Sequence, residues 1–304
     1  MVRIGILGVG DNTHGQAWLP LINGTAASPP QTEMRATVLW DQDPAVAQKA
    51  AAAFGAEVAD TPEEMLRRQV EGVVVTDLDA GTYAALSQPF LEAGLPVFLN
   101  RPLAESATSA AAILERARAH GAPVLSASSL LFADGVRAMA EPIVACGRLR
   151  TFLSSCASGH FEWYAPHAIA TLYAALGPGV ELVRAWGRGE PEVPEGEVRS
   201  LVAYLRYGPQ ARHPLLQGNL HLLPGVKYGM YELQVWGDDG RTPVMNGAAG
   251  PRNLYLPLLL EIGKMIATRQ EPVPHAELLE VVCIHYALRR SAEEGRPVRI
   301  AEML

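Results

Sequence analysis

The chain has 304 residues, a net charge of -7 at pH 7 and a pI near 5.6, with 49% hydrophobic and 19% charged residues. That length is enough for two domains with sizeable cores, and the acidic balance excludes a general nucleic-acid or anionic-membrane surface. No stretch approaches the roughly 20 apolar residues of a membrane span, and Cys146, Cys156 and Cys283 match no metal-motif spacing, so a cytoplasmic protein with reduced thiols and no metal is expected.

The first half alternates strand and helix. "VRIGILGVG" opens as a strand with no charged leader, so no signal peptide is expected. "MRATVLWD" is a second strand ending at Asp41, "GVVVTD" a third from Gly72 to Asp77, and "PVFLN" and "PVLSAS" follow. Helical patterns separate them at Gln16–Ile22, Pro44–Phe54, Gly81–Ala93 and Ser106–His120. The second of these opens on an acid and stops on a glycine, as a helix should. Continuously apolar strands separated by helices predict a parallel sheet covered on both faces, and right-handed crossovers make it doubly wound.

The first strand runs into Gly8-Val9-Gly10-Asp11-Asn12-Thr13-His14-Gly15. Gly8 and Gly10 fit the first two positions of the dinucleotide fingerprint; the third falls on Thr13, and Gly15 comes two residues late. Such a turn either brings a pyrophosphate to a helix N-terminus or is only a strand–helix corner. Asp41 favours the first reading. A carboxylate at the end of the second strand accepts from ribose hydroxyls and repels a 2′-phosphate, so NAD is expected rather than NADP. The alternative is that Asp41 opens the next helix together with Asp43. The fifth segment poses its own question, because its apolar run Leu95–Leu99 stops at Asn100-Arg101-Pro102. A cation there either works at the mouth of a site or is a solvated loop residue.

After Ser126 the pattern changes. "ADGVRAMAEPIVAC" reads as a helix, "GRLRTFLSSCAS" as a strand and "EWYAPHAIATLYAALGPG" as a helix. "VELVRAWGRG", "EVRSLVAYLRYG", "LLQGNLHLL" and "YELQVWGDDG" read as consecutive strands, so a largely antiparallel open sheet is expected. Helices at Leu254–Thr268 and Ala276–Glu294 end the chain. The expected architecture is α/β: a Rossmann domain over residues 1–125, then an α+β substrate and oligomerisation domain over 126–304. Leu201, Ala203, Leu205 and Leu220 form either one face of a homo-dimer contact through the second sheet or part of the domain core.

Taken together, "RIGILGVG", "PFLEAGLPVFLNRPLAES", "WYAPHAIATLYAALGPG" and "LLLEIGKMIATRQEP…AEEGRPVRI" resemble the glucose–fructose oxidoreductase / inositol dehydrogenase (Gfo/Idh/MocA) family. The resemblance covers essentially the whole chain. It implies hydride transfer between NAD(P) and a hydroxyl or ketone of a sugar, cyclitol or related small molecule. The family carries Glu-Lys-Pro or Asp-Lys-Pro where this chain has Asn100-Arg101-Pro102. Arginine cannot readily shuttle a proton, having only donors and a pKa above about 12. It can polarise a carbonyl or hold a carboxylate. The family's Asp-x-Gly-x-His segment places its histidine on His167 and its aspartate on Trp163. His167 is thus either the general acid/base or a satisfied core histidine. Tyr83 stands near a histidine that lines the family's nicotinamide pocket.

The resulting cofactor-binding candidates are Gly8, Gly10, Asp11, Asn12, Thr13, His14, Asp41, Thr76, Asn100 and Arg101. His167 and Arg101 are the catalytic candidates, and Tyr83, His160, Tyr164 and His167 the substrate-binding ones. Two replacements in one proton path also leave open a second function, a dinucleotide-binding sensor or assembly partner that has lost turnover.

Overall fold

The structure, a computed structural model, describes residues 1–158, 161–186, 200–224, 231–248 and 253–304. The chain divides into two compact units. The first comprises Met1–Glu105, Ser109–Ala127 and Tyr255–Leu278; the second comprises Ser106–Thr108, Ser128–Leu254 and Leu279–Leu304. A single cut after residue 125 therefore misses one stretch, because Tyr255–Leu278 rejoins the first unit.

The first unit alternates as its apolar runs require. Its early elements are β1 (Val2–Leu7), α1 (His14–Asn23), β2 (Met34–Trp40), α2 (Pro44–Phe54), β3 (Glu57–Val58), α3 (Glu64–Arg67) and β4 (Gly72–Val75). Then come α4 (Tyr83–Glu92), β5 (Val97–Leu99), α5 (Ala107–His120) and β6 (Val124–Ser126). The six strands are all parallel, in the order β3-β2-β1-β4-β5-β6. This is the doubly wound order of dinucleotide-binding sheets, whose ligands sit beyond the carboxyl ends of the strands where the winding reverses, here between β1 and β4. Local chemistry sets the helix bounds. In α2 the Asp43 side chain accepts from the Ala45 amide, Pro44 sits in the first turn and Gly55 closes the helix in the left-handed region.

The second unit contributes α6 (Asp134–Arg137), α7 (Ala140–Ala145), β7 (Leu149–Ser158), α8 (Phe161–Leu176), β8 (Val180–Trp186), β9 (Leu201–Tyr207), β10 (Gln217–Pro224), β11 (Tyr231–Gly237) and β12 (Val244–Asn246). After α9 (Leu256–Thr268), which belongs to the first unit, α10 (His275–Glu294) and β13 (Val298–Arg299) complete the chain. The sheet order is β12-β11-β7-β10-β9-β8-β13, antiparallel throughout except for the β7–β10 pair. The segment expected as one helix, "ADGVRAMAEPIVAC", is two, because Pro142 has no amide to continue the ladder through Ala138.

The alternation of β9 resolves the sheet's faces. Leu201, Ala203, Leu205 and, on β10, Leu220 are buried within a single chain, in one apolar cluster with Ala165, Ala168, Ile169 and Leu172 of α8. They are core residues, and the dimer-face reading of these four is corrected. Val202 and Trp186 face outward, 38% and 47% exposed.

Candidate functional site

The glycine turn is built by close contact. Gly8 has φ +89°, and a Cβ there would lie 2.6 Å from the Asp77 amide nitrogen, so only glycine fits. Gly15, in the first turn of α1, is pressed harder: a Cβ would lie 2.3 Å from the Gly8 carbonyl oxygen and 2.6 Å from Thr76 Oγ1. Close helix–strand packing is the task of the fingerprint's third glycine. Gly15 performs it two residues late, and Thr13 is released to cap the helix. Its Oγ1 accepts from the Gln16 amide at 3.1 Å and donates to the Gly10 carbonyl at 2.7 Å. Asp11 and Asn12 form the exposed crest of the turn, with Asn12 at φ +66°, a conformation asparagine tolerates better than most residues.

Asp41 is clasped to this turn. Its Oδ2 accepts from the amides of Val9 at 2.8 Å and Gly10 at 2.9 Å, and its Oδ1 from the Asp43 amide at 3.1 Å. A carboxylate offers about four lone-pair sites, so Oδ1 keeps capacity for one further donor such as a ribose hydroxyl. Asp41 thus joins turn and strand end, and it is Asp43 rather than Asp41 that caps α2. Thr76 is fully buried, and its hydroxyl donates to the Gly8 carbonyl at 2.6 Å. It braces the turn from below.

At the end of β5 the side chains form a chain of hydrogen bonds. Tyr83 is 1% exposed, and its hydroxyl donates to the Asp77 carbonyl at 2.7 Å. With that proton committed, the bond between Tyr83 and Asn100 is made by the Asn100 amide NH2, which turns Asn100 Oδ1 toward His14 Nδ1 at 2.8 Å. Oδ1 only accepts, so His14 carries its proton on Nδ1 and presents Nε2 as an acceptor. The His14 ring stacks on Trp18 with centroids 4.9 Å apart and meets Tyr255 edge-on at 5.5 Å. Burial, and then the nearby Arg101 charge, push the His14 pKa down to about 4 against the opposing Asn100 bond, so the ring is neutral at pH 7. Burial likewise pushes the Tyr83 phenol up, with Arg101 opposing. Tyr83 is a buried brace for Asn100 and the first residue of α4. Arg101, partly buried and joined to Pro102 by a cis peptide, is the cation of this cluster.

His167 lies in the second unit, on α8, and is 5% exposed. Its Nδ1 is 2.6 Å from Ser128 Oγ, and the rings of Tyr164 and Tyr231 approach at 5.7 Å and 5.9 Å. His160 lies outside the described residues. Sequence reasoning missed Ser128, Trp18, Tyr231 and Tyr255. Ser128 alone had a local signal, a serine-rich turn after the last parallel strand.

The first unit's residues fit a dinucleotide. The turn is pared to glycine where a Cβ would fill it, a helix N-terminus follows, and an anchored carboxylate stands at the neighbouring strand end. Comparison with known proteins agrees. Residues 2–128 match the oxidoreductase family with an NAD-binding Rossmann fold, GFO_IDH_MocA. A search of curated proteins finds no match. Among solved structures, a "probable dehydrogenase" from Thermotoga maritima superposes with a TM-score of 0.83 at 18% identity, covering 100% of both chains. Myo-inositol dehydrogenase from Lactobacillus casei, in complex with NAD(H) and myo-inositol, gives 0.82 at 18% identity over 98% of this chain and 96% of that one. Apo scyllo-inositol dehydrogenase from the same organism gives 0.81 at 16%, over 99% and 98%. At these identities the likeness concerns the fold.

Proposed function

We propose, from a chain whose residues 2–128 match the GFO_IDH_MocA oxidoreductase family with its NAD-binding Rossmann fold, that this protein is an NAD-dependent oxidoreductase acting on a hydroxyl or keto group of a sugar, polyol or related small molecule. The observation that carries the reading is the Gly8–Gly15 seat with Asp41 clasped to it. Asp11, Asn12, Thr13 and the first turn of α1 hold the diphosphate, and Asp41 Oδ1 accepts from the adenosine ribose. When bound, NAD supplies a carbon that takes or gives a hydride.

Each remaining task falls to a side chain. Arg101 holds the substrate oxygen, stabilising negative charge there without exchanging a proton. His167, in the second unit, is the side chain that exchanges a proton. Neutral His14 offers Nε2 to a hydroxyl, and the Tyr83–Asn100 pair keeps that nitrogen aimed. Tyr164 shapes the surroundings of His167. A homo-oligomer is proposed through the outward face that carries Val202 and Trp186, and a Val202→Glu variant that sediments like the wild type removes that part of the reading.

Calorimetry with NADH and NADPH, followed by reduced-nicotinamide absorbance across polyols and keto acids, tests the function. The expected result is NADH bound at least about tenfold more tightly than NADPH, with the preference lost in Asp41→Ala. Equal affinity in the wild type counts against the assignment of Asp41. NADH binding without turnover on any substrate class returns the weight to a binding protein.

A further inference from the structure

If the histidine of α8 handles a proton, something must fix its ring. Where the resemblance expects a carboxylate four residues before His167, the sequence has Trp163. The structure brings a partner from another element. Ser128 follows β6 in extended conformation, φ -71° and ψ 145°, and caps the short turn Ser129–Leu131. Its Oγ accepts from the Leu130 amide at 3.1 Å and lies 2.6 Å from His167 Nδ1. Both residues are buried, at 3% and 5% exposure. The serine backbone is set by that turn. The histidine is set by its helix, whose Thr171 hydroxyl donates to the His167 carbonyl at 3.1 Å.

A serine oxygen has one proton and two lone pairs. The Leu130 amide takes one lone pair, which leaves the second to accept from a protonated Nδ1. The separation is that of a close hydrogen bond between buried groups. We propose that Ser128 is the positioning residue of His167: its Oγ accepts from Nδ1–H, so that Nε2 is the nitrogen that takes a proton from the substrate oxygen and, from the imidazolium, returns it. The proposal rests on the oxidoreductase reading above.

The choice of serine has a chemical consequence. A carboxylate only accepts; it fixes the Nδ1–H form and favours the imidazolium by its charge. A hydroxyl accepts from Nδ1–H in the neutral ring and in the imidazolium alike. The ring orientation is therefore kept in both protonation states, and no net charge is added.

The test uses the full chain labelled with nitrogen-15 histidine, in long-range proton–nitrogen spectra from about pH 5 to 8, on wild type, Ser128→Ala and Ser128→Thr. The expected wild-type neutral ring carries its proton on Nδ1, with Nε2 as the basic nitrogen. Ser128→Ala moves the tautomer ratio about tenfold toward Nε2–H, and Ser128→Thr restores it. A wild-type neutral ring protonated on Nε2 overturns the proposal even where the alanine variant fails to fold, as does one ratio shared by all three proteins. On a substrate that the wild type turns over, Ser128→Ala is expected to lower kcat about 10- to 100-fold with KM nearly unchanged and to displace the pH profile; an undisplaced profile also overturns it. A wild type without turnover, whose tautomer ratio still responds to Ser128→Ala, counts against the oxidoreductase reading and for the contact.

Discussion

His14 shows how one side chain's chemistry is set by neighbours that sequence spacing does not display. As the first residue of α1 it is a plausible phosphate ligand on sequence, yet a ring with a pKa near 4 carries no charge to offer a phosphate at pH 7. The linkage has a definite sign. A folded-state pKa below the ordinary value of about 6.5 means that the unfolded chain binds the proton first. The contribution to stability is complete above about pH 6.5 and is lost progressively as the pH falls toward 4. In urea melts, the drop in midpoint between these values is expected to be smaller for His14→Gln than for wild type. Arg101 holds the His14 pKa down, so Arg101→Met is expected to raise it, readable by titrating the imidazole nitrogens, and to lower kcat about 10²-fold. An unmoved His14 titration contradicts this placement of the guanidinium. The sequence left Asp41 between the glycine turn and the next helix, and the Val9 and Gly10 amides place it on the turn. The tautomer of His14 was illegible, since it depends on where Tyr83 spends its hydroxyl proton.

Helices and strands were legible in proportion to how local their causes are. The Pro44–Phe54 helix matches its expected bounds, because Asp43, Pro44 and Gly55 write its ends into the chain. Gly15 was read as a late arrival, whereas it seats α1 on the sheet; which glycine does so depends on a neighbour, Thr76, sixty-one positions away. Gly15→Ala is expected to destabilise the fold by about 2 kcal/mol or more, since a backbone carbonyl cannot yield as a flexible side chain does. Thermal denaturation with and without NADH checks it, and a midpoint equal to wild type removes the close-packing argument. Arg269, ending α9 in the left-handed region, donates to the carbonyls of Gly94 at 2.7 Å and Gly121 at 3.0 Å, just beyond the ends of α4 and α5. Its removal in Arg269→Ala is expected to cost about 1–2 kcal/mol, the loss of two exposed charge-assisted bonds to carbonyls. Equilibrium urea unfolding measures it.

For the whole molecule, the class of each sheet was legible, because continuous apolar strands and alternating ones have different periods. The partition of the chain was not. Periodicity shows that α9 has an apolar stripe but not which sheet takes it. The structure gives it to the parallel sheet, where Gly72 leaves room for Ile266 and Gly263 lies beside Met34. The same limit applied to Leu201, Ala203, Leu205 and Leu220, where alternation shows a buried face without saying what buries it. Among the described residues no helix is long and apolar enough to cross a membrane.

The late return of α9 bears on how the protein is made and on how it can be re-engineered. While the polypeptide emerges from the ribosome, the nucleotide fold must wait for residues 255–278 before its last wall is in place. The first 127 residues, grafted alone onto another enzyme, would leave the groove beside Met34 and Gly72 open to water and to other nascent chains. A transplant of this module has to carry both stretches, as a circular permutant does when α9 is fused directly to β6.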